Sequence, residues 1–512
     1  MADQEYTPMR GIGYWLTRRE VLCPDKEAVV DGPRRLTYRQ LNRRVNRLAR
    51  ALAAQGLSCG DRIAMLSYNC LEYVEIIMAT AKLGLILVPL NWRLTGAELG
   101  FQMNDSDTHV LVFDPELAPL AEAVGREAAL DSLVVLGSED LHGAKSYEKL
   151  LAGQTDEEPA LERAPDGDTP HIIMYTAGTT GKPKGAVLNQ AAAFWNTLNL
   201  EAIDFTSQDR DLLVLPMFHI GGIGLFTLPM LYHGATVVIM RTFDPAVCLK
   251  LLVQEKITLF FGVPAVFLFL IQHPEFSADA FQGARLVMSG GAPLPVSLVR
   301  QYHQAGIILQ QGFGMSEAAP SIATLSRELA LAKAGSIGRA VFHLDAKIVD
   351  DDLRELPRGQ VGELVMRGPN LMQGYWNRPE ANEEAFRGGW FHSGDLAYMD
   401  ADGDLFIVER KKDMFISGGE NVYPAEVENA IFELPQVSEA AVIGVKDEKW
   451  GEVGLAVVAL KEGHALAGDK IIEHLRSRLA KYKIPKRVVF VKQLPRNAAG
   501  KVLKTQLREN HG

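Results

Sequence analysis

The sequence predicts an α/β protein: a large N-terminal domain of α/β layers with mostly parallel sheets plus a small β-subdomain, then a small α+β C-terminal domain. Three observations lead there. From about residue 60, short Val/Ile/Leu-rich runs alternate with segments of helical period, the signature of layered helices and parallel strands. After about residue 340, strand-like segments follow one another with only turns between them. The chain has 512 residues, of which 47% are hydrophobic and 23% charged, enough apolar material for several domains around sizeable cores.

Taken in order, LTYRQLNRRVNRLARAL within residues 1–60 reads as an amphipathic helix without evident chemistry. The runs RIAML (62–66), HVLVF (109–113), DLLVL (211–215), ATVVIM (235–240) and ARLVM (284–288) read as strands buried on both faces. In LEYVEIIMATAKLG (71–84) the apolar residues recur at three and four, which predicts a helix. AKIVD, VGELVMRG and GDLFIVERKKDMFIS supply the later strands. The closing block predicts helices at Pro424 to Phe432 and Asp469 to Ala480, with strands near 439–445, 454–460 and 487–491. The boundary is placed at Arg410-Lys411-Lys412, giving a large domain over 1–410, a joint at 411–412 and a small domain over 413–512.

A formal charge of −10 argues against a general nucleic-acid binder. Cys23, Cys59, Cys70 and Cys248 form no CxxC pair, so neither a disulfide framework nor a zinc site is expected, and a cytoplasmic setting is. The first residues lack the apolar core of a secretory signal. Ile257 to Ile271 is broken by Gly262 and Pro264, and Ile220 to Met240 by Pro229 and His233-Gly234. Both read as buried helix–strand pairs rather than spans of ~20 residues.

The segment HIIMYTAGTTGKPKGAVLN (171–189) is the densest chemical signal. A strand enters a loop holding Thr176, Ala177, Gly178, Thr179, Thr180 and Gly181, then Lys182 and Lys184, and a second strand leaves. Glycines let backbone N–H groups converge on an anion, and the threonine hydroxyls add donors. Lys184 supplies a point charge for the same phosphates. The Walker pattern fails, because only two residues separate Gly178 from Gly181 and Pro183 follows Lys182. In QGFGMSEAAP (311–320), Ser316 and Glu317 follow the strand IILQQ. A carboxylate beside a phosphate loop calls for a divalent cation, and Mg²⁺ accepts carboxylate and phosphate oxygens together.

YTAGTTGKPKGA resembles the signature loop of the adenylate-forming superfamily, which includes acyl-CoA synthetases, nonribosomal peptide adenylation domains and firefly luciferase, and further motifs extend the resemblance over nearly the whole chain. It implies ATP and coenzyme A as co-substrates, with magnesium held by Glu317 beside Thr176. By the same resemblance Phe313, within Gly312-Phe313-Gly314, stacks on adenine, and Ser316 stands where the family more often has Thr. Gly290, Gly291 and Ala292 of SGGAP line the adenine and acyl pockets; Asp395 and Arg410 hold the ribose. Lys501 of PRNAAGKVLK resembles the catalytic lysine that bridges carboxylate and α-phosphate, and His219 of PMFHIGG lies by the substrate carboxylate. Lys412 matches the hinge about which a mobile small domain rotates, and Gly418 and Gly419 line the CoA channel.

The reaction so implied is activation of a monocarboxylic acid to acyl-AMP, then transfer to CoA. The acyl pocket is expected near His219, Gly222, Val263, Gly290, Met315 and Ala318-Ala319, with no basic residue to neutralise a second carboxylate. A medium- or long-chain fatty acid is the expected substrate, and an aryl acid such as a benzoate or hydroxycinnamate the alternative. A non-catalytic acyl-binding paralogue is the rival of another class; Thr176, Glu317, Asp395, Arg410 and Lys501 together speak against it. The expected partners are small molecules, and a homodimer is compatible with the sequence.

Overall fold

The uninterrupted apolar runs form parallel strands covered on both faces. The computed structural model describes residues 9–141, 143–176, 183–411, 413–417, 420–447, 450–476, 478–496 and 502–511. Two large sheets dominate it. One has, from edge to edge, Arg339–Ala340, Ser321–Thr324, Leu309–Gly314, Leu286–Ser289, Leu259–Gly262, Arg210–Leu213, Thr236–Ile239, Glu27–Asp31 and Arg34–Thr37. The other runs Gly374–Tyr375, Lys184–Asn189, Pro170–Thr176, Ile86–Leu90, Arg62–Leu66, Val110–Phe113, Ser132–Val135 and Lys145–Ser146. In both, the inner strands are parallel and antiparallel pairing is confined to the margins.

The main core packs the facing sides of both sheets around the helix Leu71–Leu83, which is buried along its whole length. A helix between two sheets has no solvent face, so its polar residues need partners within the fold. Gly84 ends it in the left-handed region (φ 73°), its N–H returning to the Thr80 carbonyl. Helices Pro245–Gln254, Pro264–Gln272 and Val296–Gln304 cover the outer face of the first sheet, and Gly96–Asp105 and Ala118–Glu127 that of the second. Ile257 to Ile271 is thus a buried strand and helix, as expected.

The expected β-subdomain is an antiparallel sheet of Asp345–Val349, Gly362–Arg367, Phe391–Met399 and Leu405–Arg410. The C-terminal unit pairs Val437–Asp447 with Gly451–Leu460 and adds Arg487–Val491 in parallel. Helices Pro424–Phe432 and Gly468–Arg476 pack on one face and Lys504–His511 on the other. The second of these helices stops short of the expected Ala480, because Ala480 is extended and caps a one-turn helix over Lys481–Lys483. Lys504 joins the unit to the strand before it, with Nζ 2.9 Å from Glu428 and 3.4 Å from Glu409. Among the described residues no helix is long and apolar enough to cross a membrane.

Candidate active site

Strands Pro170–Thr176 and Lys184–Asn189 form the stems of the phosphate loop, with Thr176 opposite Lys184 in antiparallel register. The loop residues Ala177, Gly178, Thr179, Thr180 and Gly181 lie outside the described residues. What can be placed is the base of the loop. Thr176 Oγ1 is 3.4 Å from Glu317 Oε1 and 3.5 Å from the Lys184 carbonyl oxygen.

Glu317 reaches this point from the other large sheet. Strand Leu309–Gly314 runs through Gly312 and Phe313, longer than the expected IILQQ, and Ser316–Ala318 then forms a single 3-10 turn that aims Glu317 inward. The side chain is buried, and among the described residues it has no ion-pair partner. Its Oε1 accepts from two hydroxyls, those of Thr176 and Tyr375, the latter at 3.0 Å. No described residue donates to Oε2. Such a carboxylate fits a hard cation: the neutral donors fix its orientation without cancelling its charge.

The segment 370–378 crosses over this junction like a strap. Asn370 donates to the carbonyls of Ala318 and Ser321, both at 2.8 Å, and the Met372 N–H to the Glu317 carbonyl at 2.8 Å. Tyr375 pairs with Ala186 on the strand leaving the phosphate loop, and Trp376 N–H donates to Gly185. Arg378 pairs with Asp105, whose other oxygen accepts the Tyr175 hydroxyl at 2.8 Å. One short segment therefore holds both stems of the loop and the acidic turn. Burial, reinforced by the Glu317 charge, keeps the Tyr375 hydroxyl protonated; the Arg410 guanidinium works in the opposite sense.

Asp395 and Arg410 face each other across neighbouring strands, with Arg410 Nε 2.6 Å from Asp395 Oδ1. The pair is one-sided in exposure: Asp395 is buried and Arg410 open to solvent on part of its surface. Gly290 and Gly312 are drawn together, since a Cβ on Gly290 would lie 2.7 Å from the Gly312 carbonyl oxygen and 3.0 Å from the Phe261 ring. Gly291 is in the left-handed region (φ 77°), with Val263 beside it and Ala292 following. SGGAP thus needs glycine for close approach at one position and for conformation at the next.

His219 lies on the turn after strand Arg210–Leu213, its ring 4.7 Å from that of Phe218. Asn69 fixes this turn from the opposite sheet: its amide donates to Leu215 O at 2.9 Å and its oxygen accepts Met217 N–H at 2.8 Å. A π-helical turn, Gly221–Leu225, follows. There Gly222 packs on the Pro216 carbonyl, leaving no room for a Cβ. Val263 and Met315 are half-buried against the main core, and Ala318 is fully buried. Lys412, Gly418, Gly419 and Lys501 lie outside the described residues. A second group of carboxylates, Asp400, Asp402 and Asp404, already holds a cation of the protein's own, Lys333 Nζ, 2.6 Å from Asp402 and 3.4 Å from Asp404.

Sequence reasoning missed Tyr375, Asn370, Asn69 and Arg378. The available signal for the strap was GYWNRPE (374–380), where two aromatics sit among turn-forming residues. Its contacts to Glu317 and Asp105 span 58 and 273 residues and carry no local pattern.

The stems of the Thr/Gly/Lys loop, an inward carboxylate and a cross-strand Asp–Arg pair sit where the resemblance to the adenylate-forming class expects a nucleotide-dependent enzyme to carry them. The model of the AMP-binding enzyme family matches residues 17–376, and that of the AMP-binding enzyme C-terminal domain matches 426–501. The chain belongs to this family, as an AMP-forming acyl-CoA synthetase. It is 43% identical over 505 residues to a feruloyl-CoA synthase of an Amycolatopsis species, covering 98% of this chain and 99% of that one. It is 40% identical over 510 residues to the long-chain-fatty-acid–CoA ligase FadD13 of Mycobacterium tuberculosis, covering 98% and 99%. ATP-bound MatB from Rhodopseudomonas palustris superposes with a TM-score of 0.90 at 32% identity, over 98% of this chain and 99% of that one.

Proposed function

We propose that this synthetase activates an aryl or arylalkenoic acid rather than a long aliphatic one. The observation that carries the reading is an aromatic floor behind Gly290. Phe261 contacts the Gly290 position and meets Phe226 edge-on at 5.9 Å; Phe205 backs Phe226 at 5.6 Å. All three rings are buried. A floor of packed rings favours a flat, finite substrate over an extended chain. None of His219, Gly222, Val263, Gly290, Met315 and Ala318 carries a fixed charge, which suits a monocarboxylate with a neutral tail. Likeness to the feruloyl-CoA synthase points the same way. Likeness to the fatty-acid ligase supports the second reading, a medium- or long-chain fatty acid.

In the first half-reaction a carboxylate oxygen attacks the α-phosphorus of ATP, and the bond to the leaving pyrophosphate breaks. In the second, the CoA thiol attacks the acyl-adenylate carbonyl, loses its proton and displaces AMP. Thr176, Lys184 and the intervening loop bind the phosphates; Asp395 with Arg410 orients the ribose; His219 flanks the carboxylate. Lys501, by its motif, bridges carboxylate and α-phosphate. Glu317 and Thr176 would hold Mg²⁺, which supplies charge neutralisation at the phosphates. A large domain ending at 410, a hinge at Lys412 and a CoA channel at Gly418-Gly419 complete the reading and would let one pocket serve both steps.

Mass-spectrometric detection of acyl-CoA, with pyrophosphate release, across aliphatic acids of increasing length and a set of benzoates and hydroxycinnamates tests it. The highest kcat/KM is expected with an aryl acid. A preference that climbs with aliphatic chain length would sink the aryl reading and leave the fatty-acid one.

A further inference from the structure

The strap over the phosphate-loop stems does more than hold two sheets together. Tyr375 is clamped from several directions. Its backbone pairs with Ala186, its N–H donates to Asn382 Oδ1 at 2.6 Å, and the following Trp376 N–H donates to Gly185. Gly374 allows this close seat, since a Cβ there would lie 2.9 Å from the Asn382 amide nitrogen. So anchored, the phenol has little freedom. Its hydroxyl donates to Glu317 Oε1 at 3.0 Å, and its ring carries the Lys184 ammonium 5.2 Å from the centroid. That distance lies within the range of a cation–π attraction.

Three consequences follow from this arrangement. With Thr176 and Tyr375 both on Oε1, Glu317 is fixed by neutral hydroxyls, and Oε2 is left without a described donor. A carboxylate so oriented offers one chosen oxygen, where a freely rotating one would offer either. The same ring keeps a lysine positioned at the root of the loop without an ion pair to Glu317, so the two charges stay apart and each remains available. Finally, Tyr375 pairs with the strand that leaves the loop, which ties the position of the acidic turn to that of the phosphates.

We propose that Tyr375 is a positioning residue for adenylation. Its hydroxyl selects the Glu317 oxygen presented to the divalent cation, and its ring props Lys184 toward the phosphates. The proposal rests on the reading of Glu317 as the metal-holding carboxylate given above. Asn370 and the Met372 N–H, which bind backbone carbonyls of the same turn, are the scaffold on which this side-chain contact acts.

The test uses the full chain with Tyr375→Phe, which removes one oxygen, and Tyr375→Leu, which removes the ring as well. Mn²⁺ binding in the presence of a non-hydrolysable ATP analogue, followed by water-proton relaxation, reads the metal without turnover. The Mg²⁺ dependence of acid-driven pyrophosphate release and the conversion of supplied acyl-AMP to thioester read the two half-reactions. Tyr375→Phe should weaken Mn²⁺ binding and raise half-saturating Mg²⁺ by about 10-fold, with unchanged thioester formation from acyl-AMP. Tyr375→Leu should in addition raise the KM for ATP. In a Glu317→Gln background, Tyr375→Phe should add no further loss.

Unaltered Mn²⁺ affinity and Mg²⁺ dependence in Tyr375→Phe would overturn the assignment, and so would an equal fall of both half-reactions together with a lowered melting temperature. An inactive wild type that binds no Mn²⁺ with nucleotide would remove the reading of Glu317 and this proposal with it. An active wild type with an unchanged Tyr375→Phe removes this proposal alone.

Discussion

The helix Leu71–Leu83 and the turn Ser316–Ala318 both bury acidic side chains between the large sheets, yet they treat them in opposite ways. On the helix every charge is answered by another. Glu72 meets Arg34 at 3.1 Å, Glu75 meets Arg44 at 2.5 Å, and Lys82 meets Glu158 at 2.6 Å with Asn42 and Asn46 completing its donors. On the turn, Glu317 receives only hydroxyls among the described residues. Matched charge is what a buried structural element requires, because an unpaired ion in the interior costs several kcal/mol. Charge held by neutral donors is what a cation-binding site requires, because its counterion is to come from outside. The contrast separates architecture from chemistry among buried acids of one protein.

The sharpest break of this comparison is Glu317→Gln. Glutamine keeps an acceptor for Tyr375 and Thr176 and removes the charge. Acid-dependent pyrophosphate release should fall by about 100-fold or more, while the melting temperature holds or rises. A variant that loses stability and keeps its rate would place Glu317 with the structural acids of the helix.

Arg44→Ala asks the converse. Arg44 also pairs with Glu148 at 2.6 Å, and Tyr147 donates to Glu75 at 2.7 Å, so the network joins two helices to the core helix. Removing the guanidinium strands Glu75, which is wholly inaccessible to solvent. The expected loss is about 3 kcal/mol at pH 7.5 by chemical denaturation, with acyl-CoA synthesis near wild type wherever the variant is folded. Even in the native protein, burial pushes Glu75 up to about 7 against the pull of Arg44. The folded state therefore binds the proton more tightly than the unfolded chain. This group's contribution is fully present below about pH 4.5 and is lost as pH rises through 7. Glu75→Gln should flatten the dependence in that window.

The same division explains what the sequence reveals. Strands such as Leu286–Ser289 and Leu259–Gly262 are legible because burial on both faces leaves a continuous apolar run. The loop stems at Thr176 and Lys184 and the pair Asp395–Arg410 are legible because local motifs surround them. Tyr375 and Asn69 are not, since each acts through a contact to a distant segment, and neither a tyrosine after glycine nor a buried asparagine announces its partner. The helix Leu71–Leu83 shows the limit from the other side: its apolar period is plain, but nothing local tells that Glu75 and Lys82 are buried against the helix Tyr38–Ala54. Charge on a helix locates no surface when the partners come from Arg44 and Glu158.

A third buried acid refines the comparison because it belongs to neither group. Asp211, on strand Arg210–Leu213 at the centre of the first sheet, is 1% exposed, and no hydrogen-bond partner reaches either carboxylate oxygen among the described residues. Two residues earlier, Asp209 is held by Arg285 at 2.7 Å and by Thr258. Burial alone pushes the Asp211 carboxyl well above the usual range, so the fold favours its neutral form. In the unfolded chain it ionises near pH 4, which means folding becomes less favourable as pH rises above that value. The cost is bounded, because protonation replaces ionisation once it is cheaper; at pH 7 the bound is about 4 kcal/mol. Asp211→Asn removes the titration and keeps the shape. It should stabilise the protein by about 1–2 kcal/mol at pH 7.5, since the buried amide retains part of the desolvation cost. The gain should shrink towards pH 4 and vanish below it, where both states of the wild type are protonated. Denaturant unfolding at the two pH values decides it: a gain that grows with pH makes Asp211 a plain cost of the fold. A loss of stability at both values would show a role for the neutral acid that asparagine cannot fill.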